Sequence, residues 1–182
     1  MRFTPFITIT LAFLSVFLVA LPHPVAAQET LLTLPPASED PKATALRQLI
    51  QNYYNEMDRA TERFDMNGGF KYIAPDCKII LRDGTKMSVK TIRENATMIY
   101  RRAIKSQIKT EITQFSTKGD TVTVETRSTS LMRIKNDNGV ESDLDATGQS
   151  RDFWMKTKNG WRIKQSRESD RTIKINGQII QE

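Results

Sequence analysis

The spacing of apolar residues changes once along this chain, near Lys105, and that change limits the folds it can adopt. Before it, apolar side chains recur at steps of three and four, as on one face of an amphipathic helix: Leu46, Leu49, Ile50, Tyr53, Met57, Ala60 and Phe64. After it they alternate, which is typical of strands, in the segments 108–115, 121–134, 144–157 and 160–168. Helices followed by a long strand meander predict an α+β fold.

Turn and capping residues divide the two halves further. Asp65 begins a short second helix, residues 77–81 form an apolar strand, and Ser88 caps a third helix. Turn chemistry recurs at residues 82–85, 118–120, 136–139 and 158–160, and residues 172–180 are expected to form a small terminal hairpin. Two of the predicted strands exceed ten residues, which favours a long, twisted or bent sheet. The hydroxyl residues of the second strand fit its solvent-facing side: Thr121, Thr123, Thr126, Thr129 and Ser130.

The N-terminal segment has the three parts of a secretory signal. Arg2 precedes an apolar run from Phe6 to Leu21, and small residues ending at Ala27 follow a Pro-His-Pro break. A retained single-span anchor is the alternative, but this run is shorter than the roughly 20 residues that cross a bilayer. We expect residues 1–27 to be a signal peptide and the protein to be periplasmic or extracellular. Residues 28–42 then form a flexible lead-in, 43–170 one domain, and 171–182 a C-terminal hairpin or tail.

Removal of the signal peptide would limit the catalytic and metal-binding groups that the mature chain contains. His23 is the only histidine and Cys77 the only cysteine, so the mature chain would have no imidazole and no internal disulfide. This excludes Ser-His-Asp and Cys-His nucleophiles and zinc sites built on histidine. No phosphate-binding glycine loop or calcium-type carboxylate spacing is found, so we predict neither metal nor cofactor. We expect Cys77 to be a small buried apolar residue.

The chain is basic, with a formal net charge of +6. Clusters such as Arg101–Lys105 could face nucleic acid or an anionic membrane surface. No nucleic-acid-binding pattern accompanies them, and an exported protein seldom meets nucleic acid. We therefore expect a solvated basic face, no nucleic-acid partner, and membrane contact only through the signal sequence.

The order of elements and the residues at the joints resemble the NTF2-like superfamily, in its SnoaL-like or ketosteroid-isomerase-like branch. A tyrosine-bearing first helix runs into Asp65, and Ile73–Cys77 is similar to the family's approach to its first strand. Residues Arg151–Ile163 resemble its closing hairpin, an aromatic residue and lysine followed by Gly-Trp-x-Ile. The resemblance covers nearly all of residues 42–170. It implies three helices packed on a long, strongly curved antiparallel sheet, forming a cone with a pocket.

The resemblance also implies where a reaction would occur. The catalytic base of the isomerase branch corresponds to Leu81, which cannot accept a proton, so an enolising isomerase is not expected. The branch's oxyanion-binding tyrosine corresponds to Tyr53 or Met57, and its second donor to Asp152. The remaining acid–base candidates are Asp152 and Asp58. They would lie in a pocket walled by four large side chains: Tyr53, Met57, Met98 and Trp154. The structural alternative is that these carboxylates cap a helix or pair with Arg151 or Arg162.

Three functional hypotheses follow. The favoured one is a non-catalytic module that binds a small apolar molecule or a partner protein. The resemblance adds a homodimer through the outer face of the sheet. The second is a lyase, cyclase or isomerase-like enzyme that uses Asp152 or Asp58. The third is a basic surface that binds anionic envelope polymers, whose binding would weaken steeply with salt.

Overall fold

A computed structural model describes residues 40–180 of the 182-residue chain. The predicted signal peptide, its cleavage site and nearly all of the lead-in lie outside the described residues. Within residues 40–180, no helix is both long enough and apolar enough to cross a membrane.

Three helices precede the long strands, as the periodicity predicts. Helix α1 spans Pro41–Glu62 and begins where the Asp40 side chain accepts a hydrogen bond from the Lys42 amide. Helix α2, Met66–Gly69, is a single turn capped by Asp65. Helix α3, Val89–Tyr100, begins where Ser88 Oγ accepts from the Thr91 amide, so the predicted cap is confirmed.

The strands found within residues 40–180 form one seven-stranded sheet. Its members are β1 (Ile73–Ile80), β2 (Lys86–Met87), β3 (Ala103–Lys118), β4 (Thr121–Lys135), β5 (Glu141–Thr157), β6 (Gly160–Ile175) and β7 (Gln178–Ile179). Their spatial order is β2-β1-β6-β5-β4-β3, with β7 paired to β6. Strand β6 is continuous through residue 170, so the boundary predicted there falls inside a strand.

The prediction of an antiparallel sheet is wrong for one pair of strands. Strand β1 runs parallel to β6, with Ile79 beside Ser166, and the sheet is therefore mixed. Hairpin turns fix the antiparallel direction only of strands that follow one another closely. Strands β1 and β6 are separated by most of the domain, so short-range turn signals carry no information about their relative direction.

Irregular register bends the long strands. Pairing shifts between Ile112 and Gln114 on β3, and β6 contains two further shifts opposite β5. Such bulges increase local twist and bend a strand, which lets the sheet curve around the helices. The concave face, which we define as the face toward the helices, carries the buried side chains of β4 at alternate positions.

Two apolar clusters lie on the concave face. The Trp154 cluster joins α1 to the beginning of β4 and the end of β5. It contains, among others, Ile50, Tyr54, Met57, Val122, Val124 and Trp154. The Leu144 cluster lies toward the other end of the same strands and contains Ile99, Met132, Ile134 and Leu144. Between the two clusters, β4 and β5 carry small polar residues instead.

Side chains of α1 take the place of a neighbouring strand along the outer edge of β3. The amides of Ile108, Thr110 and Ile112 donate to Glu62, Asp58 and Gln51 at 3.2, 2.7 and 2.9 Å. The Gln51 amide in turn donates to the Thr110 carbonyl at 2.8 Å. An edge strand otherwise presents unpaired backbone groups, and covering them is a known way to prevent edge-to-edge association.

Candidate functional site

A phenol and a carboxyl group meet in the middle of the Trp154 cluster. Tyr54, on the buried face of α1, donates its hydroxyl proton to Asp152 Oδ2 at 2.6 Å. The indole Nε1–H of Trp154 donates to the Tyr54 oxygen at 3.0 Å. Tyr54 and Asp152 are each 4% exposed and Trp154 is 0% exposed. We call these three residues the closed network, since hydrogen bonds join them in a row; Asp152 also accepts from Ser150 Oγ at 3.4 Å and bonds Ser166.

Burial dominates the electrostatics of this network. Desolvation raises the pKa of the Asp152 carboxyl, and hydrogen bonds from Ser166 and Tyr54 oppose that rise. The pKa of the Tyr54 phenol is raised well above its ordinary value, first by burial and then by the Asp152 charge. Burial therefore shifts both groups toward their protonated forms relative to water, and neither side chain is open to a substrate.

The structure brings three of the four predicted pocket residues together. The ring of Tyr53 stacks on Tyr72 at 4.0 Å and on Trp154 at 6.0 Å between centroids. Met57 is 9% exposed in the same cluster. These contacts form a packed interior in which Trp154 is completely buried.

Met98 does not join them. Its residue is 56% exposed on α3, whose buried positions are Ile92, Ala96 and Ile99. Met98 lies off that stripe because residues two apart on a helix point in different directions. It therefore does not wall a pocket with Trp154.

The tyrosine that contacts Asp152 is Tyr54, where the sequence comparison suggested Tyr53 or Met57. The buried stripe of α1 runs through Ile50, Tyr54 and Met57, at steps of four and three. The same stripe was present in the sequence, but Tyr53 fits the equally regular series Leu46, Ile50, Tyr53. Because Tyr53 and Tyr54 are adjacent on one helix, the packing of α1 against the sheet decides which of them contacts Asp152.

Asp58 has a structural role at the β3 edge. Its two oxygens accept from the Thr110 amide at 2.7 Å and from the Thr110 hydroxyl at 3.0 Å. Burial raises the pKa of Asp58, while both Thr110 bonds counteract the rise. Neither Asp58 nor Asp152 pairs with the predicted arginines: Arg151 bonds Glu125, and Arg162 bonds the Trp161 carbonyl.

Leu81, at the position of the isomerase base, is buried at 6% exposure. Its amide donates to the Thr85 carbonyl at 2.8 Å, closing the β1–β2 turn. Cys77 is buried as predicted, and desolvation raises the pKa of its thiol to about 12. Neither side chain offers an acid, a base or a nucleophile near neutral pH.

A polar belt separates the two apolar clusters on the concave face. We define it by five residues of β4 and β5: Thr126, Ser128, Ser130, Gly148 and Ser150. The pairing places Thr126 opposite Ser150 and Ser128 opposite Gly148, so these side chains share the concave face. Thr126 is buried and the other four are half-buried. The prediction that Thr126 faces solvent is therefore wrong, whereas Ser130, on the same concave face, is half-buried.

Two further depressions lie on the described surface. A groove of about 430 Å³ between α3 and β1 is lined by Met66, Pro75, Val89, Lys90, Arg93, Glu94 and Thr97. A hollow of about 180 Å³ lies at the start of α1, beside Phe115. Neither is lined by the closed network. Within residues 40–180, no group of three or more His, Cys, Asp or Glu is arranged to hold a metal ion.

Comparisons with known proteins agree on the fold. No protein-family model matches the sequence, and a search of curated proteins found no match. Among solved structures, a candidate scytalone dehydratase from Novosphingobium aromaticivorans is similar, with a TM-score of 0.59 and 10% identity, over 72% of this chain and 89% of that one. A conserved protein from Planctomyces limnophilus matches with a TM-score of 0.58 and 12% identity, over 68% and 94%.

A third similar structure is named for its superfamily. It is a nuclear transport factor 2-like protein from Salmonella enterica serovar Typhimurium, with a TM-score of 0.55 and 21% identity, over 69% of this chain and 91% of that one. At these identities the likeness concerns the fold alone, because one fold hosts many activities. The predicted resemblance is thus confirmed at that level: residues 40–180 have the NTF2-like fold, three helices on a strongly curved sheet.

Proposed function

We propose that this domain is a non-catalytic binding module that holds a small molecule against the concave face of its sheet. The observation that carries the proposal is the closed network. The carboxyl group placed best for acid–base chemistry, Asp152, is 4% exposed and already bonded to Tyr54.

The other catalytic candidates support the same proposal. Asp58 is engaged by Thr110, and the position of the isomerase base is the buried Leu81. A general acid or base must come within hydrogen-bond reach of the substrate proton. The half-buried serines of the polar belt, Ser128, Ser130 and Ser150, by contrast, have hydroxyl groups suited to binding and no acid or base of their own.

An enzyme is the second candidate, favoured by one observation. A buried carboxyl group with a raised pKa beside a phenol is an arrangement suited to proton transfer near neutral pH. Among the structural neighbours is a candidate scytalone dehydratase. This reading requires the Trp154 cluster to open so that a substrate can reach Asp152.

Location and assembly extend the proposal. The signal-like segment that ends at Ala27 supports export of the domain to a periplasmic or extracellular space. The outer face of the sheet is the surface we propose for a homodimer, and partner proteins would meet the same face.

The test is native mass spectrometry of the protein purified from the compartment in which it accumulates. We expect a mature chain that begins at Gln28 and carries a co-purified small molecule. A double variant, Asp58→Asn with Asp152→Asn, should retain that molecule, because each amide keeps the size of the carboxyl group and one acceptor oxygen while it removes the ionisable group. The molecule should keep its mass on prolonged incubation with either protein. Conversion by the parent but not by the double variant would establish the enzyme instead.

A further inference from the structure

Phe64 has a backbone conformation that glycine usually occupies. It lies just after the C-terminal end of α1 with φ of +58°, in the left-handed region. The Asp65 amide donates to the Ala60 carbonyl at 2.8 Å. The Phe64 amide donates to the Thr61 carbonyl at 3.0 Å, and the two bonds together form a Schellman motif. Because a Cβ atom in this conformation crowds the backbone, phenylalanine has a conformational cost here that glycine would avoid.

The ring of Phe64 contacts the end of α3. Its centroid lies 5.5 Å from that of Tyr100, and the two ring planes are inclined by 59°. The Tyr100 hydroxyl bonds the side chain of Thr61, in the last turn of α1. Phe64 and Tyr100 are both half-buried, so each keeps accessible surface. We call this pair of rings the aromatic corner.

The aromatic corner lies beside the Leu144 cluster. Tyr100 packs against that cluster, which includes Met132 of β4. Glu62, the last residue of α1, accepts from the Ile108 amide at 3.2 Å and so holds the end of the helix on β3. These contacts place the two rings at the end of the concave face that is remote from the closed network.

A buried hydroxyl without a partner lies at the same end of the concave face. Ser106 pairs with Met132 and lies two residues before Ile108, so its side chain is on the concave side of β3. It is 7% exposed, and its hydroxyl has no hydrogen-bond partner among the described residues. Such a group costs free energy that alanine would avoid, and buried hydroxyls are usually satisfied by water or a ligand. This observation is independent of the Phe64 backbone and points to a hydrogen-bonding ligand.

Two residues that cost stability are therefore found at one end of the concave face. Strained backbone and unsatisfied polar groups tend to be kept where they serve a function. We propose that the aromatic corner and Ser106 bind an uncharged planar ring that carries one hydrogen-bonding substituent, such as a phenol. This inference rests on the binding function proposed above and names the ligand class and the residues that contact it.

The chemistry of these residues selects the class. The rings of Phe64 and Tyr100 attract a third ring through tilted or offset contacts, which a saturated molecule cannot reproduce. A serine hydroxyl both donates and accepts, so it can bond a phenolic hydroxyl in either direction. The neighbours of Ser106 on the concave face of β4, Ser130 and Met132, carry no charge. A charged ligand group would therefore be buried there without a counter-charge, which is costly.

Three bicyclic compounds of similar size test the class by equilibrium dialysis against the purified protein. They are 2-naphthol, naphthalene, which lacks the hydroxyl, and decahydro-2-naphthol, which lacks the aromatic rings. We expect 2-naphthol to bind at least about fivefold more tightly than either analogue, because each analogue loses one kind of contact. Simple partition onto apolar surface would instead favour naphthalene, the least polar aromatic compound of the three.

Phe64→Gly distinguishes a binding role from a packing role. It relieves the left-handed strain, so the thermal midpoint should be unchanged or higher, while the affinity for 2-naphthol falls at least about fivefold. Asn176→Gly is the matched control. Asn176 is the other non-glycine residue with positive φ in residues 40–180, at +49°, and it lies in the exposed β6–β7 turn. Its variant should bind 2-naphthol like the parent.

Ser106→Ala provides a second readout that does not involve Phe64. Removal of the hydroxyl should leave the thermal midpoint unchanged or raise it, and 2-naphthol should lose its advantage over naphthalene. Undetectable binding of 2-naphthol, equally tight binding of either analogue by the parent, or parental affinity in either variant would overturn the ligand class. A lower midpoint in both variants would assign the two residues to packing and also overturn it. A co-purified molecule that keeps its mass would still support the binding function in those cases.

Discussion

The closed network and the polar belt place polar groups on the same strands, yet their surroundings differ. Asp152 and Ser150 are two residues apart on β5, and both point to the concave face. Asp152 bonds Tyr54, which in turn accepts from Trp154, and all three residues are 4% exposed or less; Ser150 Oγ reaches Asp152 Oδ1 only at 3.4 Å. Around Ser150 and Gly148 the neighbours on β4 are hydroxyl residues that are mostly half-buried.

This difference distinguishes polar groups that stabilise the fold from the polar groups that we propose to bind a ligand. In the closed network each polar atom has a protein partner, so the group can be buried at little net cost. In the belt the residues are small, and the hydroxyls of Thr126 and Ser150 bond to each other across the two strands at 2.9 Å. We infer that burial of a polar group indicates a binding site only where its partners leave room for another molecule.

The largest effect that would test this comparison is on stability. Trp154→Ala should lower the free energy of unfolding by about 3–5 kcal/mol, because a fully buried aromatic side chain leaves a cavity. Ser150→Ala, in the belt, should cost about 0.5–1.5 kcal/mol, the value of a hydrogen bond such as that to Thr126. Urea titration of both variants measures the difference. Equal costs would contradict the division of the concave face into a packed and an open region.

Much of the fold followed from the sequence because its signals are local. The three helices, the Ser88 cap and the turn before Lys86 depend on residues close together in the chain. The parallel pairing of β1 with β6 depends on contacts about 90 residues apart, which no local pattern records. The strand ends were underestimated for a related reason: outer positions of β3 are charged or polar and give no apolar signal.

The site was less predictable than the fold. Trp154 and Met57 were predicted to wall a pocket that holds Asp152, and the structure buries all three together with Tyr54. Predicting that Tyr54, and not Tyr53, contacts Asp152 would require knowledge of how α1 is rotated about its axis against the sheet.

A second prediction uses pH to probe the closed network. Asp152→Asn keeps an acceptor for the Tyr54 hydroxyl but cannot ionise. In the unfolded chain Asp152 titrates near its ordinary pKa of about 3.9, and in the fold its pKa is higher. Below the unfolded-state pKa of about 3.9, the carboxyl is protonated in both the folded and the unfolded protein. As pH rises, the unfolded chain loses the proton first, so the parent loses stability relative to the variant until the folded pKa is passed.

The loss should approach about 1.4 kcal/mol for each pH unit inside that window and then stop. Unfolding by urea at pH values from 3 to 8 measures it for both proteins. Asp143→Asn is the control of opposite sign, because Arg133 lowers the pKa of Asp143. There the parent should lose stability relative to the variant as pH falls. A pH-independent difference for Asp152→Asn would mean that the carboxyl is not desolvated.

The smallest effect concerns the belt and has the opposite sign. Gly148→Ala should raise the free energy of unfolding by about 0.4–1 kcal/mol, because alanine restricts the unfolded chain and its methyl group meets only ordinary contacts. Gly160→Ala is the control: Gly160 has φ of +86°, and alanine there should cost about 1–2 kcal/mol. Thermal unfolding of the two variants without ligand measures both changes. A destabilised Gly148→Ala would show that the strand itself requires this glycine.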